Sequence, residues 1–112
     1  MQIVDFKINN NLGVLDSPVI VSPSGVAFNW TVSSSPGVYQ KYSEINIGTS
    51  INGLGSKDFE GNLFSQYLQE NTGHYFELDT TQPLSRGKAY YGQLRIKDNL
   101  GIESDYKVFS FK

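Results

Sequence analysis

The sequence predicts an all-β protein, an antiparallel sandwich of two sheets made from about seven short strands. Three observations predict it. Short stretches alternate apolar and polar residues with the period of two that a half-buried strand requires. Clusters of Gly, Pro, Asn and Ser separate those stretches, and 11 Gly with 4 Pro in 112 residues are enough to place a turn between most of them. Seven Phe and seven Tyr supply the large apolar area, in residue types that fit a pleated surface, and no stretch sustains a helical stripe.

The first strand is expected at Ile3 to Ile8 (IVDFKI), with Val4, Phe6 and Ile8 on one face and Ile3, Asp5 and Lys7 on the other. It runs into the turn-rich NNNLG. The segment SPVIVSPSG is a short apolar piece bracketed by prolines, which cannot donate to a ladder and suit a sheet edge, so Pro18 to Val21 is expected to continue the edge strand. Gly25 to Val32 alternates cleanly, with Val26, Phe28, Trp30 and Val32 inward and Ala27, Asn29 and Thr31 outward, as a central strand would. SSSPG breaks it. QKYSEINIG resumes with Ile45 and Ile47 on one face and Tyr42, Glu44 and Asn46 on the other.

Between Thr49 and Asn71 the pattern weakens. SINGLGSKD has loop composition, while Phe59, Leu63, Phe64, Tyr67 and Leu68 fit a helical stripe that Gly61 interrupts, so a short strand is expected near Leu63 to Tyr67. GHYFELD reads as a strand with Phe76 and Leu78 inward. AYYGQLRIKD sets Tyr90, Gly92, Leu94 and Ile96 against Tyr91, Gln93, Arg95 and Lys97, DNLG supplies a turn, and IESDYKVFSF carries the last strand. No repeat or low-complexity segment divides the chain, and its length suits one domain over residues 1–112.

Composition narrows the chemistry. With no cysteine there is neither a disulfide framework nor a thiolate metal site, and stability rests on packing. A formal charge of −2, with Lys and Arg scattered, lacks the basic excess that binding phosphates needs, so nucleic acid is not an expected partner. No run approaches the ~20 apolar residues that span a bilayer, and MQIVDFKINNN does not resemble a secretory leader; the expectation is a soluble chain made in the cytosol, with no membrane partner. His74 is the single histidine and has no recognisable nucleophile or orienting acid beside it. Asp98, Asn99, Glu103 and Asp105 cluster in sequence but match no calcium loop, and Asp98 and Gly101 are better read as turn residues. Asp58, Glu60, Glu70, Glu77 and Asp79 could be searched for the two carboxylates of a glycosidase, yet they fall in weakly patterned sequence and read as solvated positions. NGLGSKD falls short of both nucleotide-binding glycine motifs. The chain is therefore expected not to be an enzyme and to need no cofactor and no metal.

Leu84, Gly87 and Tyr90, spaced L-x-x-G-x-x-Y ahead of an alternating strand, resemble the tyrosine corner of fibronectin type III and related immunoglobulin-like domains. FNW resembles the second strand of such domains, GVYQKYSEINI the third, and YYGQLRIKDNLGIESDYKVFSF the closing hairpin, above all in the variants found in phage virion proteins and as accessory domains of bacterial polysaccharide-degrading enzymes. The resemblance covers nearly the whole chain and implies a fibronectin type III-like sandwich. It makes Trp30 the aromatic between the sheets, and Leu84 and Tyr90 structural core residues at the crossing from one sheet to the other. Gly48 to Gln82 is longer than two minimal strands need, and extra loop there is either decoration or a binding element.

Tyr39, Tyr42, Tyr67, Tyr75, Tyr91 and Tyr106 cannot all be core. The resemblance places Tyr42 and Tyr91 outward on paired strands, where they form either a contact surface or ordinary cross-strand pairs. It implies a structural or adhesion module without catalysis, foremost a phage virion component such as a capsid decoration, head-fibre, baseplate or tail protein, located in the virion. Its partners would be other virion or assembly proteins, a surface glycan and a second copy of the chain. The alternative is an accessory domain of a carbohydrate-active enzyme that positions the catalytic domain or holds glycan. Fold alone does not choose between them.

Overall fold

The computed structural model describes residues 1–22, 25–78 and 84–112. Eight strands follow one another without an intervening helix among these residues: β1 (Gln2–Ile8), β2 (Asn11–Leu12), β3 (Val26–Ser33), β4 (Gln40–Gly48), β5 (Phe64–Glu70), β6 (Tyr75–Leu78), β7 (Tyr90–Asp98) and β8 (Lys107–Phe111). They form two antiparallel four-stranded sheets, ordered β2-β1-β3-β6 and β5-β4-β7-β8. The count exceeds seven because Asn11–Leu12 folds back on Lys7 and Ile8 through a tight turn in which Asn9 and Asn10 take positive φ, a conformation asparagine tolerates well.

Alternation sets the inner faces. Val26, Phe28 and Trp30 of β3 and Tyr90, Leu94 and Ile96 of β7 are buried, as their period predicts. The centre of the core is a layer of rings from both sheets. Phe6 and Phe28 approach Phe109 at centroid distances of 4.7 and 5.3 Å, and Phe111 lies between Phe28 (5.9 Å) and Tyr90 (5.4 Å). Such tilted and offset pairs each add about 0.5–1.5 kcal/mol beyond area burial. Gly92 makes room for this layer on β7, since a Cβ there would sit 2.4 Å from the Phe109 ring.

Two expectations are corrected. In β1 the period-two assignment fails at its start: Asp5 has φ +51 and the β1–β3 register shifts between Val4 and Lys7, so a bulge reverses the parity. Ile3, not Val4, consequently packs against the core with Phe6 and Ile8. Pro18 to Val21 does not continue that edge strand. Val19 bridges Phe111 in parallel, the Val21 amide donates to the Lys112 carbonyl, and the segment thus crosses to the other sheet and covers the free edge of β8. The strand expected at Leu63 to Tyr67 is β5, which starts one residue later and runs to Glu70.

Where the chain enters β7, the Tyr90 hydroxyl accepts a 2.7 Å hydrogen bond from the Ser85 amide, five residues upstream. The turn between them is closed by Lys88 N–H to Ser85 C=O, and Gly87 takes φ +78, where a side chain would be strained. Leu84 is half-buried and packs on the core.

Candidate functional site

The outer face of the β5-β4-β7-β8 sheet carries the chemistry. Alternation directs Tyr42, Glu44 and Asn46 of β4 outward, opposite Lys97, Arg95 and Gln93 of β7 in register. An outward face is expected to be wet. Here the central residues are closed off, with Glu44 6%, Asn46 4%, Gln93 1% and Arg95 7% exposed. Two elements cover them: the stretch between β4 and β5, which folds back over the strands and sets Phe59 down as a buried residue, and Tyr106, whose ring lies against Arg95. Gln93 fastens it, accepting from the Gly55 amide (2.7 Å) and donating to the Ser56 carbonyl (3.0 Å) and to Asn46 Oδ1 (3.1 Å). Loop length in the sequence signalled an insertion; what it covers depends on contacts between distant residues and was not legible.

Beside this clamp lies a charged network. Arg95 donates from Nη2 to Glu44 Oε2 (3.1 Å) and from Nη1 to Glu103 Oε2 (2.6 Å). The Tyr106 hydroxyl donates to Glu44 Oε1 (2.9 Å), and the Arg95 guanidinium lies 4.8 Å from the centre of the Tyr106 ring. Burial, then the hydrogen bond to Glu44 and that carboxylate's charge, push the Tyr106 phenol up to about 12, with Arg95 opposing. Arg95 Nε is buried without a hydrogen-bond partner. Glu44, Asn46, Arg95 and Phe59 line a cavity of about 140 Å³, with Lys57 and Tyr67 completing its wall. Of these only Tyr67 stood out in the sequence, as one of the tyrosines that cannot all be core; a Glu and an Arg facing the same way on two central strands were the available signal for the rest.

Tyr42 and Tyr91 occupy opposite ends of this face. Tyr42 pairs with Lys97 while Tyr91 pairs with Gly48, six positions along the ladder, or about 20 Å at ~3.3 Å per residue. The buried Glu44–Arg95 and Asn46–Gln93 pairs lie between them. Tyr42 is flanked by Lys41 and Lys97, whose ammonium groups lie 5.7 and 5.6 Å from its ring centre. Tyr91 lines an open groove of about 460 Å³ with Leu15, Asp16, Ile51, Leu54 and Val108. Tyr39, Tyr67 and Tyr75 are exposed.

The remaining candidates have structural partners. Trp30 is buried at one end of the core; its indole N–H donates to Gln40 Oε1 (2.9 Å), and Gln40 in turn donates to the Asn71 and Gly73 carbonyls. The His74 ring stacks on Trp30 at 6.3 Å. Asp98 Oδ1 accepts from the Leu100 and Ile102 amides, both at 2.9 Å, which makes it the turn residue the sequence suggested, and Glu103 is engaged by Arg95. Among the described residues no group of three or more His, Asp or Glu is placed to hold a metal ion. Asp58, Glu60, Glu70 and Glu77 are exposed, with Glu70 and Glu77 on different sheets, and Asp79 lies outside the described residues.

Neither a protein-family model nor a curated protein sequence matches the chain. Among solved structures, the alpha-L-rhamnosidase from Dictyoglumus thermophilum superposes on 99% of this chain with a TM-score of 0.80 and 15% identity. Streptomyces avermitilis alpha-L-rhamnosidase complexed with L-rhamnose does so over 98%, with a TM-score of 0.67 and 16% identity. This chain spans 12% and 10% of those two chains. The 6th fibronectin type III domain from human fibronectin type III domain containing protein 3 matches over 96% of this chain and 81% of its own, with a TM-score of 0.55 and 15% identity. Identities this low speak of fold. The two sheets, their strand order and the Tyr90 corner define the class, a fibronectin type III-like β-sandwich.

Proposed function

We infer that this chain works as a non-catalytic accessory module of a carbohydrate-active enzyme, a rigid sandwich that positions a catalytic domain and contributes contacts of its own. The observation that carries this reading is the superposition of 99% of the chain on a piece making up 12% of an alpha-L-rhamnosidase. A sandwich of this kind is there one part of a much larger chain. The neighbours favour this second sequence reading over the virion component, which rests on resemblance alone.

Positioning requires a docking surface. The groove beside Tyr91 supplies one, because Ile51 is largely exposed and lies with Leu54, Leu15 and Val108 around an amphipathic ring suited to a protein contact. Its occupant in this reading is the adjoining domain, with Tyr42 as a separate contact at the far end of the face.

The test is the mass of the native protein that carries this sequence, recovered from its source with an antibody against the domain. A polypeptide many times 12.5 kDa with glycoside-hydrolysing activity is expected. A free 12.5 kDa chain recovered with assembled particles would overturn the accessory reading and support the virion one.

A further inference from the structure

The cavity between the covering loop and β5 has properties that a merely structural ion pair does not need. Its floor is made by buried Glu44, Asn46, Arg95 and Phe59, and its rim by two exposed residues, Lys57 and Tyr67. Buried polar groups in folded proteins are almost always hydrogen-bonded, and each exception asks for an explanation. Arg95 is such an exception, but one sealed within the wall: its two terminal nitrogens are held by Glu44 and Glu103, and Nε–H, without a partner, is closed from water and so from the cavity. Asn46 commits its carbonyl oxygen to Gln93, and its amide NH₂ has no partner among the described residues.

We propose that this cavity binds one uncharged sugar residue, held by hydrogen bonds to Asn46, Lys57 and Glu44 and covered by the Tyr67 ring. Three features select the ligand class. The buried Arg95 is already paired with Glu44 and Glu103, so an anionic ligand finds no unpaired buried cation. Hydrogen-bonding capacity remains in both senses: Asn46 and Lys57 can donate, while Glu44, accepting once on each oxygen, has further lone pairs for a donor. A sugar hydroxyl both accepts and donates. The third feature is Tyr67, which stands 76% exposed on the edge strand β5 at the cavity mouth and offers an aromatic face to the apolar side of a pyranose ring. At about 140 Å³ the cavity is well below the roughly 300–1,000 Å³ of sites for drug-sized ligands, which limits it to a single ring.

The choice of ligand class rests on the accessory-module reading, and the site itself rests on the geometry. The experiment is an amide-resolved NMR titration of the intact chain with L-rhamnose, D-glucose and D-galacturonate in turn. Saturable shifts with a neutral sugar are expected at Lys57, Phe59, Tyr67 and Arg95, with a millimolar Kd. Tyr67→Ala, a change at an exposed position that leaves the fold in place, should weaken binding roughly tenfold, whereas Tyr39→Ala should not. Three outcomes would overturn the site: no saturable shift at these residues with any sugar, shifts indifferent to both Tyr67→Ala and Lys57→Ala, or binding of galacturonate alone. The accessory reading survives each of them if the native protein is the large glycosidase described above, so the two failures are distinguishable.

Discussion

The two sheets share one inner core but treat their outer faces differently. On β2-β1-β3-β6 the outer face is open: Asp5, Lys7, Thr31, Tyr75 and Glu77 are exposed, as a one-sided sheet requires. On β5-β4-β7-β8 the same alternation delivers Glu44, Asn46, Gln93 and Arg95 outward, and a loop and Tyr106 then bury them. The first face costs nothing to maintain. The second must hold a charge pair out of water, and such pairs are seldom more stabilising than apolar residues of equal volume. The inner core follows from alternation alone, whereas the covered polar face holds only while its hydrogen bonds stay complete.

The largest expected effect falls on what the sheets share. Phe28→Ala removes a fully buried ring that contacts Phe6, Phe76, Phe109 and Phe111 and should cost about 3–5 kcal/mol, read as a shift of the urea midpoint. Next comes the covered face. Arg95→Ala leaves the Glu44 carboxylate buried with Tyr106 as its one remaining donor and should cost about 3 kcal/mol, while Glu44→Leu combined with Arg95→Met should recover most of the loss. If Arg95→Ala instead costs under about 1 kcal/mol, the pair behaves as a surface ion pair and the contrast between the two faces collapses.

A smaller effect sharpens the contrast through pH. The folded state holds the Tyr106 phenol at about 12 against an ordinary 10.0, so it retains a proton that the unfolded chain releases. The stabilisation is whole below pH 10.0 and is lost as pH rises toward about 12. Tyr106→Phe should therefore be less stable than the parent at neutral pH, by roughly 1.5 kcal/mol once the partial exposure of the ring is allowed for, and the gap should close above pH 10.0. A gap independent of pH would mean that the hydroxyl contributes no proton-linked interaction with Glu44.

What the sequence revealed divides along the same line. The inner faces of β3 and β7 were legible because burial there follows from alternation alone, and the Tyr90 corner because its spacing is local. The bulge at Asp5 was not, since a period-two pattern assumes unbroken parity and nothing in IVDFKI marks a positive φ. Nor was the burial of Glu44 and Arg95, which depends on a loop returning over strands that are themselves distant in sequence. Tyr42 and Tyr91 lie on the paired strands β4 and β7, but register, which alternation does not specify, sets them six positions apart.

The smallest effect concerns the turn that leads into β7, one of the passages between the two sheets. Tyr90→Phe keeps the ring stacked on Phe111 and removes only the acceptor for the Ser85 amide. A buried orphaned amide would cost about 1–3 kcal/mol, but Ser85 is exposed and water can take the place of the hydroxyl, so roughly 0.5–1 kcal/mol is expected. The lost bond should still register locally, as faster hydrogen exchange at the Ser85 amide with unchanged exchange at Leu94 in the centre of β7. Faster exchange at both positions would show that the corner holds the sheets together rather than fixing the turn that leads into β7. In that case the two faces could not be treated as independent regions, since loosening the crossing would loosen the covered face with it.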